Sequence, residues 1–141
     1  MTRRHVLLIV GVVAIGAAVL VVALPRHTPT GLERVRAALQ DDDRFVNGPT
    51  AGETLARASR WLLDDGDACE ASHGRRDPRC GARLSAAAYT SVAAAGVLSC
   101  TAPGVYRTRI ALVAYVTAIE TFDHNPLGTR QIPAPPRAPS C

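Results

Sequence analysis

Cys69, His73 and Cys80 are the residues whose types and spacing come nearest to chemistry in this 141-residue chain. With Cys100 they could offer a soft cation three sulfurs and an imidazole in a tetrahedral set. Structural zinc sites favour paired ligands two to four residues apart, and only Cys69 to His73 approaches that spacing. The same cysteines fit disulfide chemistry better. Cys69, Cys80, Cys100 and Cys141 are the only four, an even number, and all follow the apolar segment described below, where an exported domain would meet an oxidising compartment.

Arg75, Arg76, Arg79 and Arg83 form the one concentrated basic patch. Arg79 and Arg83 share a helix face at i, i+4, and all four lie near the expected start of a helix, where the dipole also favours anions. An anionic lipid headgroup, an envelope polymer or an acidic partner surface would fit such a patch. The competing account is a solvated surface answered by Asp64, Asp65, Asp67 and Glu70, and it is the one favoured. Ser72 or Ser85 with His73 and Asp67 could be drawn as a triad, yet no G-x-S-x-G elbow surrounds any Ser, and sequence neighbours rarely build one. Beyond the apolar segment the histidines are His27, His73 and His124, each within two residues of Gly, Pro or Asn and expected in a loop. Asp41-Asp42-Asp43 lacks the Gly and Glu of an EF-hand and is expected to be a solvated helix end. Phosphate-binding loops and haem-attachment motifs are missing. Neither an enzyme nor a cofactor is expected, and no catalytic or metal residue is assigned.

The elements that would position these residues are unequal. Val6 to Leu24 are nineteen residues, all aliphatic except Gly11 and Gly16; as a helix they would be roughly 28 Å long, close to the ~30 Å hydrocarbon core of a bilayer. Arg3 and Arg4 precede the segment and Pro25-Arg26 follow it, so the positive-inside rule favours a cytoplasmic N-terminus and an external remainder. An uncleaved anchor is favoured over a signal peptide, whose apolar core is usually shorter; cleavage after Ala23 would make the chain secreted. The Thr2-Arg3-Arg4-His5-Val6-Leu7 string resembles a twin-arginine export signal over six residues.

Beyond residue 24 the core is thin, since only 21 of 117 residues are Val, Leu, Ile or Phe. Alanine takes their place and allows helices to approach closely. All 16 basic residues are Arg, against 12 acids. Outside the N-terminal pair the balance is nearly even and no aromatics interleave the Arg cluster, so nucleic acid is not an expected partner.

Helix signals recur. Thr30-Gly31-Leu32-Glu33 and Thr50-Ala51-Gly52-Glu53 match the capping box, predicting one helix to about Gln40 and a second ending near Asp65-Gly66. Asp77-Pro78 opens a third, which runs through Leu84, Ala87, Ala88, Ser91, Val92, Ala95 and Leu98. Thr101-Ala102-Pro103 opens a fourth, with Val105, Leu112, Val116 and Ile119 on one stripe and Tyr106, Ile110, Val113 and Thr117 beside it. It stops before Asn125-Pro126, and a Pro-rich extended tail follows. Residues 84–106 carry no charge, but so much Ala, Ser and Gly favours a buried helix over a second span. No segment alternates like a strand.

A helix between Cys80 and Cys100 would hold them about 30 Å apart, whereas bridged Cα atoms lie within about 7 Å. Cys69 to Cys80 with Cys100 to Cys141 is the favoured pairing; Cys69 to Cys100 with Cys80 to Cys141 stays open if the expected loop from Gly66 to Asp77 is long enough. The expected architecture is all-α: a short cytoplasmic start (1–5), a transmembrane signal-anchor (6–24), a linker (25–29), an extracytoplasmic bundle of about four helices stapled by disulfides (30–124) and a Pro-rich tail (125–141). Its expected role is binding, as an accessory or structural component of the cell envelope or of a membrane complex, with membrane lipid met through the anchor and a protein or envelope partner met outside. The alternative is a small exported enzyme or a metal-binding protein using Cys69, His73 and Cys80.

Overall fold

Thr30 and Glu33 close the first helix upon each other: the Thr30 hydroxyl accepts from the Glu33 amide at 3.2 Å, and the Thr30 amide donates to the Glu33 carboxylate at 2.7 Å. In the computed structural model, which describes residues 27–125, 131–137 and 141, this capping box starts α1, Gly31–Gln40. The Thr30 amide first, and then the nearby His27 imidazole, hold the Glu33 carboxyl below its usual range. Leu32, Val35, Ala38 and Leu39 recur at helical spacing and are the buried face of α1. The apolar segment of residues 6–24, with its signal-like start, lies outside the described residues, as does part of the Pro-rich tail.

A 3-10 turn, Asp42–Phe45, leads into α2, Gly48–His73. Two expectations for α2 are corrected. Its cap is Asn47, whose Oδ1 accepts from the Thr50 amide at 3.0 Å, so Thr50 is already inside the first turn and forms no capping box with Glu53. Its end is His73, not Gly66, because Gly66 is buried against Leu84: an added Cβ would lie 2.5 Å from Leu84 Cδ2. Glycine there serves close helix packing, and that packing outweighs its weak helix propensity. The expected loop from Gly66 to Asp77 is therefore mostly helix. The helix stops at Gly74, whose φ of 87° few other residues adopt.

Asp77 and Pro78 open α3, Pro78–Val97, as their types demand. Thr101 precedes α4, Ala102–His124. Each helix runs antiparallel to the next. Along α2 and α3 the register is set by Gly48 against the Val97 and Leu98 carbonyls, by Gly66 against Leu84, and by the Ser59 hydroxyl donating to the Ala87 carbonyl at 2.8 Å. Only small side chains on both faces permit a side chain of one helix to reach the backbone of the other. Alpha-1 lies along α4, where Arg36 meets Glu120 at 3.1 Å and Arg109 donates to the Leu39 carbonyl at 2.6 Å. The core is thus a four-helix, up-down-up-down bundle of Leu, Val and Ala, with Leu55, Leu62, Leu112 and Ile119 fully buried.

The expected inner stripe of α4, namely Val105, Leu112, Val116 and Ile119, is buried; Tyr106, Ile110, Val113 and Thr117 beside it face outward. The Asp41 to Asp43 run is not merely solvated. Asp41 pairs with Arg44 at 2.7 Å and Asp42 with Arg109 at 2.6 Å, while the Arg109 guanidinium also covers the buried Phe45 ring at 5.3 Å. The charge-free stretch 84–106 is divided between α3 and α4 by the turn after Val97. Among the described residues no helix is long and apolar enough to cross a membrane.

Candidate functional site

One end of the bundle gathers nearly every residue singled out from the sequence. It comprises the start of α1, the end of α2, the start of α3 and the end of α4. Because α2 runs to His73, Cys69 stands one turn from its end, and Cys80 stands in the first turn of α3. Their Cα atoms are 5.3 Å apart and joined by a disulfide. Cys100 and Cys141 form the second bridge at the opposite end, with Cα atoms 4.9 Å apart. The favoured pairing is the one found, and no cysteine is free.

His73 lies one turn beyond Cys69, so helical spacing brings it beside the first bridge. The ligand atoms of Cys69, His73 and Cys80 all lie within 4.8 Å of one another. His73 Nδ1 is 3.3 Å from the Cys69 carbonyl; with the proton on Nδ1 it donates there and leaves the Nε2 lone pair free. His73 and His124 are the last residues of α2 and α4 rather than loop residues. In the bridged state neither sulfur is a thiolate, so the cluster cannot take a soft cation without reduction.

The four arginines of the patch divide into two pairs. Arg79 and Arg83 are committed to carboxylates. Asp77 accepts from the Arg79 amide at 2.9 Å and from its guanidinium at 2.6 to 3.2 Å. The guanidinium contacts, reinforced by the amide, pull the Asp77 carboxyl down to about 2, and the same pairing raises Arg79. Arg83 reaches further: its Nε donates to Asp65 at 3.1 Å, and Nη1 and Nη2 fork onto Asp123 at 3.0 and 2.6 Å. One side chain on α3 so ties α2 to α4. Nothing in the sequence marks Asp123 as the partner, 40 residues away.

Arg75 and Arg76 lie in the turn between α2 and α3 and point outward. Arg75 is 90% exposed, with Glu70 at 3.7 Å. Arg76 has no ion pair among the described residues. Asp67, Ser72 and Ser85 do not build the drawn triad: all three are exposed, and the Ser72 hydroxyl is turned back onto the Ala68 carbonyl at 2.9 Å.

A cleft of about 330 Å³ opens at this end between α1 and α4, walled by Glu33, Arg36, Arg83, Glu120, Asp123 and His124 among others. Its charges are matched across its own walls, Arg36 by Glu120 and Arg83 by Asp123. On the far side Tyr89 and Tyr115 meet edge to face at 5.8 Å, and the Tyr89 hydroxyl donates to the Arg137 carbonyl at 3.1 Å, which fastens the tail to α3. The Tyr115 hydroxyl is buried and has no hydrogen-bond partner among the described residues.

The fold and this end define a four-helix module with a disulfide at each end and an exposed diarginine turn at one of them. Compared with models of known protein families, with curated proteins and with solved structures, the chain finds no match.

Proposed function

We propose that this chain is a single-pass membrane protein that displays its helical module outside the membrane and acts by binding, as an accessory or structural component of the envelope or of a membrane complex. The observation that supports it is the pairing of all four cysteines downstream of a nineteen-residue aliphatic segment, since disulfides persist in oxidising compartments. A thin, alanine-rich core fits a module stiffened by covalent staples. The charged groups of the candidate end engage each other more than they converge on a shared point, which favours a surface that binds over a pocket that reacts.

The test uses the full chain in cells. Membranes washed with alkaline carbonate should retain it, protease added outside should reach the helical module, and mass measurement after alkylation without reductant should find no free thiol. Four alkylated cysteines, or release by carbonate, would overturn the proposal. Capture of the intact protein from membranes then addresses the partner.

Metal binding in the reduced state is the second reading, favoured by the 4.8 Å cluster of Cys69, His73 and Cys80. A phosphine would supply two electrons to the bridge and leave as its oxide, with water giving the oxygen and the two thiol protons. A divalent cation would then displace two protons and meet two thiolates and the His73 imidazole. Titration of the phosphine-reduced protein with zinc decides it. Binding should be stoichiometric and weakened tenfold or more in His73→Ala; no uptake sinks it.

A further inference from the structure

The exposed diarginine turn and the entry of the chain into the bundle lie at the same end. Gly31, the first residue of α1, packs on the Trp61 carbonyl and the Asp65 side chain of α2. From Asp65, α2 continues for two more turns to His73, a further rise of about 12 Å. The turn of residues 74–76 therefore stands about 12 Å beyond the level at which α1 begins. His27 is held beside the first turn of α1 by its 3.1 Å contact with Glu33, so the three steps from Leu24 to His27 can span at most about 11 Å. A bilayer surface at Leu24 is thus limited to a distance from His27 comparable with the height at which the turn projects.

We infer that the Arg75-Arg76 turn rests on the bilayer and that its guanidinium groups engage anionic phospholipid headgroups. This rests on Val6 to Leu24 spanning the membrane, as proposed above.

The geometry supplies three supports. Gly74, at φ 87°, reverses the chain so tightly that both arginines stay outside the helices. The Cys69–Cys80 bridge, with Cα atoms 5.3 Å apart, closes the base of the turn and fixes where it points. Arg79 and Arg83 are consumed by Asp77, Asp65 and Asp123, whereas Arg75 keeps only a 3.7 Å contact with Glu70 and Arg76 none among the described residues. Of the exposed acids of the same end, Glu33 is engaged by the Thr30 amide and His27, while Asp67 and Asp64 lie about 9 and 14 Å back along α2 from His73, at or beyond the ~8 Å screening length of physiological salt. An anionic surface touching the tip meets the two guanidinium groups first. Each is worth about a fivefold gain in occupancy near an anionic leaflet.

Hydrogen exchange of the full chain in nanodiscs tests this, with discs of phosphatidylcholine alone and of phosphatidylcholine mixed with phosphatidylglycerol. The amides of residues 74–77 should exchange about five- to twentyfold more slowly in the anionic discs. High salt should remove the difference, and so should the double substitution Arg75→Glu, Arg76→Glu, while exchange in α2 and α3 stays unchanged. Equal exchange in both discs, or protection that survives the double substitution, overturns the inference. Slowing that appears only when polyglutamate is added to neutral discs assigns the turn to an acidic protein and overturns it as well. Failure of the chain to incorporate into discs, or its release by carbonate, strikes instead at the membrane-anchored reading.

Discussion

Arg83 on α3 forks onto Asp123 of α4 through two hydrogen bonds of 3.0 and 2.6 Å, with both side chains less than a fifth exposed. The same guanidinium holds Asp65 of α2, so three helices share one cation. Arg83→Ala should lower the unfolding free energy by about 2 kcal/mol, in the range for hydrogen bonds to charged groups with partial burial. Adding Asp123→Asn should cost much less than its single-variant value, because the partner is already gone. Urea unfolding of the singles and the double measures the coupling, and full additivity would mean that the pair acts as two solvated charges.

Two helical glycines should respond to alanine with opposite signs. Gly48 faces the Val97 and Leu98 carbonyls, where a Cβ would come within 2.5 and 2.6 Å of the oxygens; Gly81 has nothing within 4 Å. Gly81→Ala should stabilise by about 0.5 to 1 kcal/mol through helix propensity. Gly48→Ala should destabilise by about 1 to 3 kcal/mol, because backbone must move. For a domain of this size each kcal/mol shifts the melting midpoint by about 4 to 8 °C, so thermal melts read the signs directly.

Acid should loosen the start of α3. The Asp77 carboxyl is lowered from 3.8 to about 2 by its bonds to Arg79, so the charged form is favoured in the folded state. A depressed pKa gives stability that is full above the unfolded value and is lost as pH falls through the folded one. The window therefore lies between 3.8 and about 2. Carboxyl NMR should place the Asp77 midpoint near the lower limit, and Asp77→Asn should flatten the stability profile in that interval. An ordinary midpoint would show that the Arg79 bonds do not persist in solution.

Tyr115 is 4% exposed, and its hydroxyl has no hydrogen-bond partner among the described residues; burial pushes its pKa up, with a smaller push from Tyr89. An unsatisfied buried hydroxyl costs about 1 to 3 kcal/mol. Tyr115→Phe keeps the ring against Tyr89 and should be neutral to stabilising by about 1 kcal/mol. A clear loss of stability would reveal a partner for the oxygen.

Local signals carried much of this fold. Thr30 with Glu33, and Asp77 with Pro78, are signatures whose physics is complete within four residues, and both helices start where those residues put them. Helix length excluded a Cys80 to Cys100 bridge, and the antiparallel packing expected of successive helices ranked the two pairings that were left. The end of α2 was hidden because Gly66 ends helices in solvent but permits contact when a Leu84 faces it, and Leu84 lies eighteen positions later. The arginine patch was hidden in the same way. Four arginines within nine positions read as one surface, yet Arg83 turns inward to carboxylates on two other helices, while only Arg75 and Arg76 stay free of helix packing. Charge composition foretold that the acids would answer the arginines; it could not foretell that Asp123 would be among them.

Both covalent loops, residues 69–80 and 100–141, lie wholly beyond residue 68. Tension entering the module from its N-terminal side passes first through α1, which no crosslink encloses. A pull there is resisted by Leu32, Val35 and Leu39 in their packing and by the Arg36 to Glu120 and Arg109 to Leu39 contacts, while the bridged helices stay joined. The staples divide the bundle mechanically into a first helix that can peel away under load and a remainder whose α2–α3 hairpin and tail are locked in series.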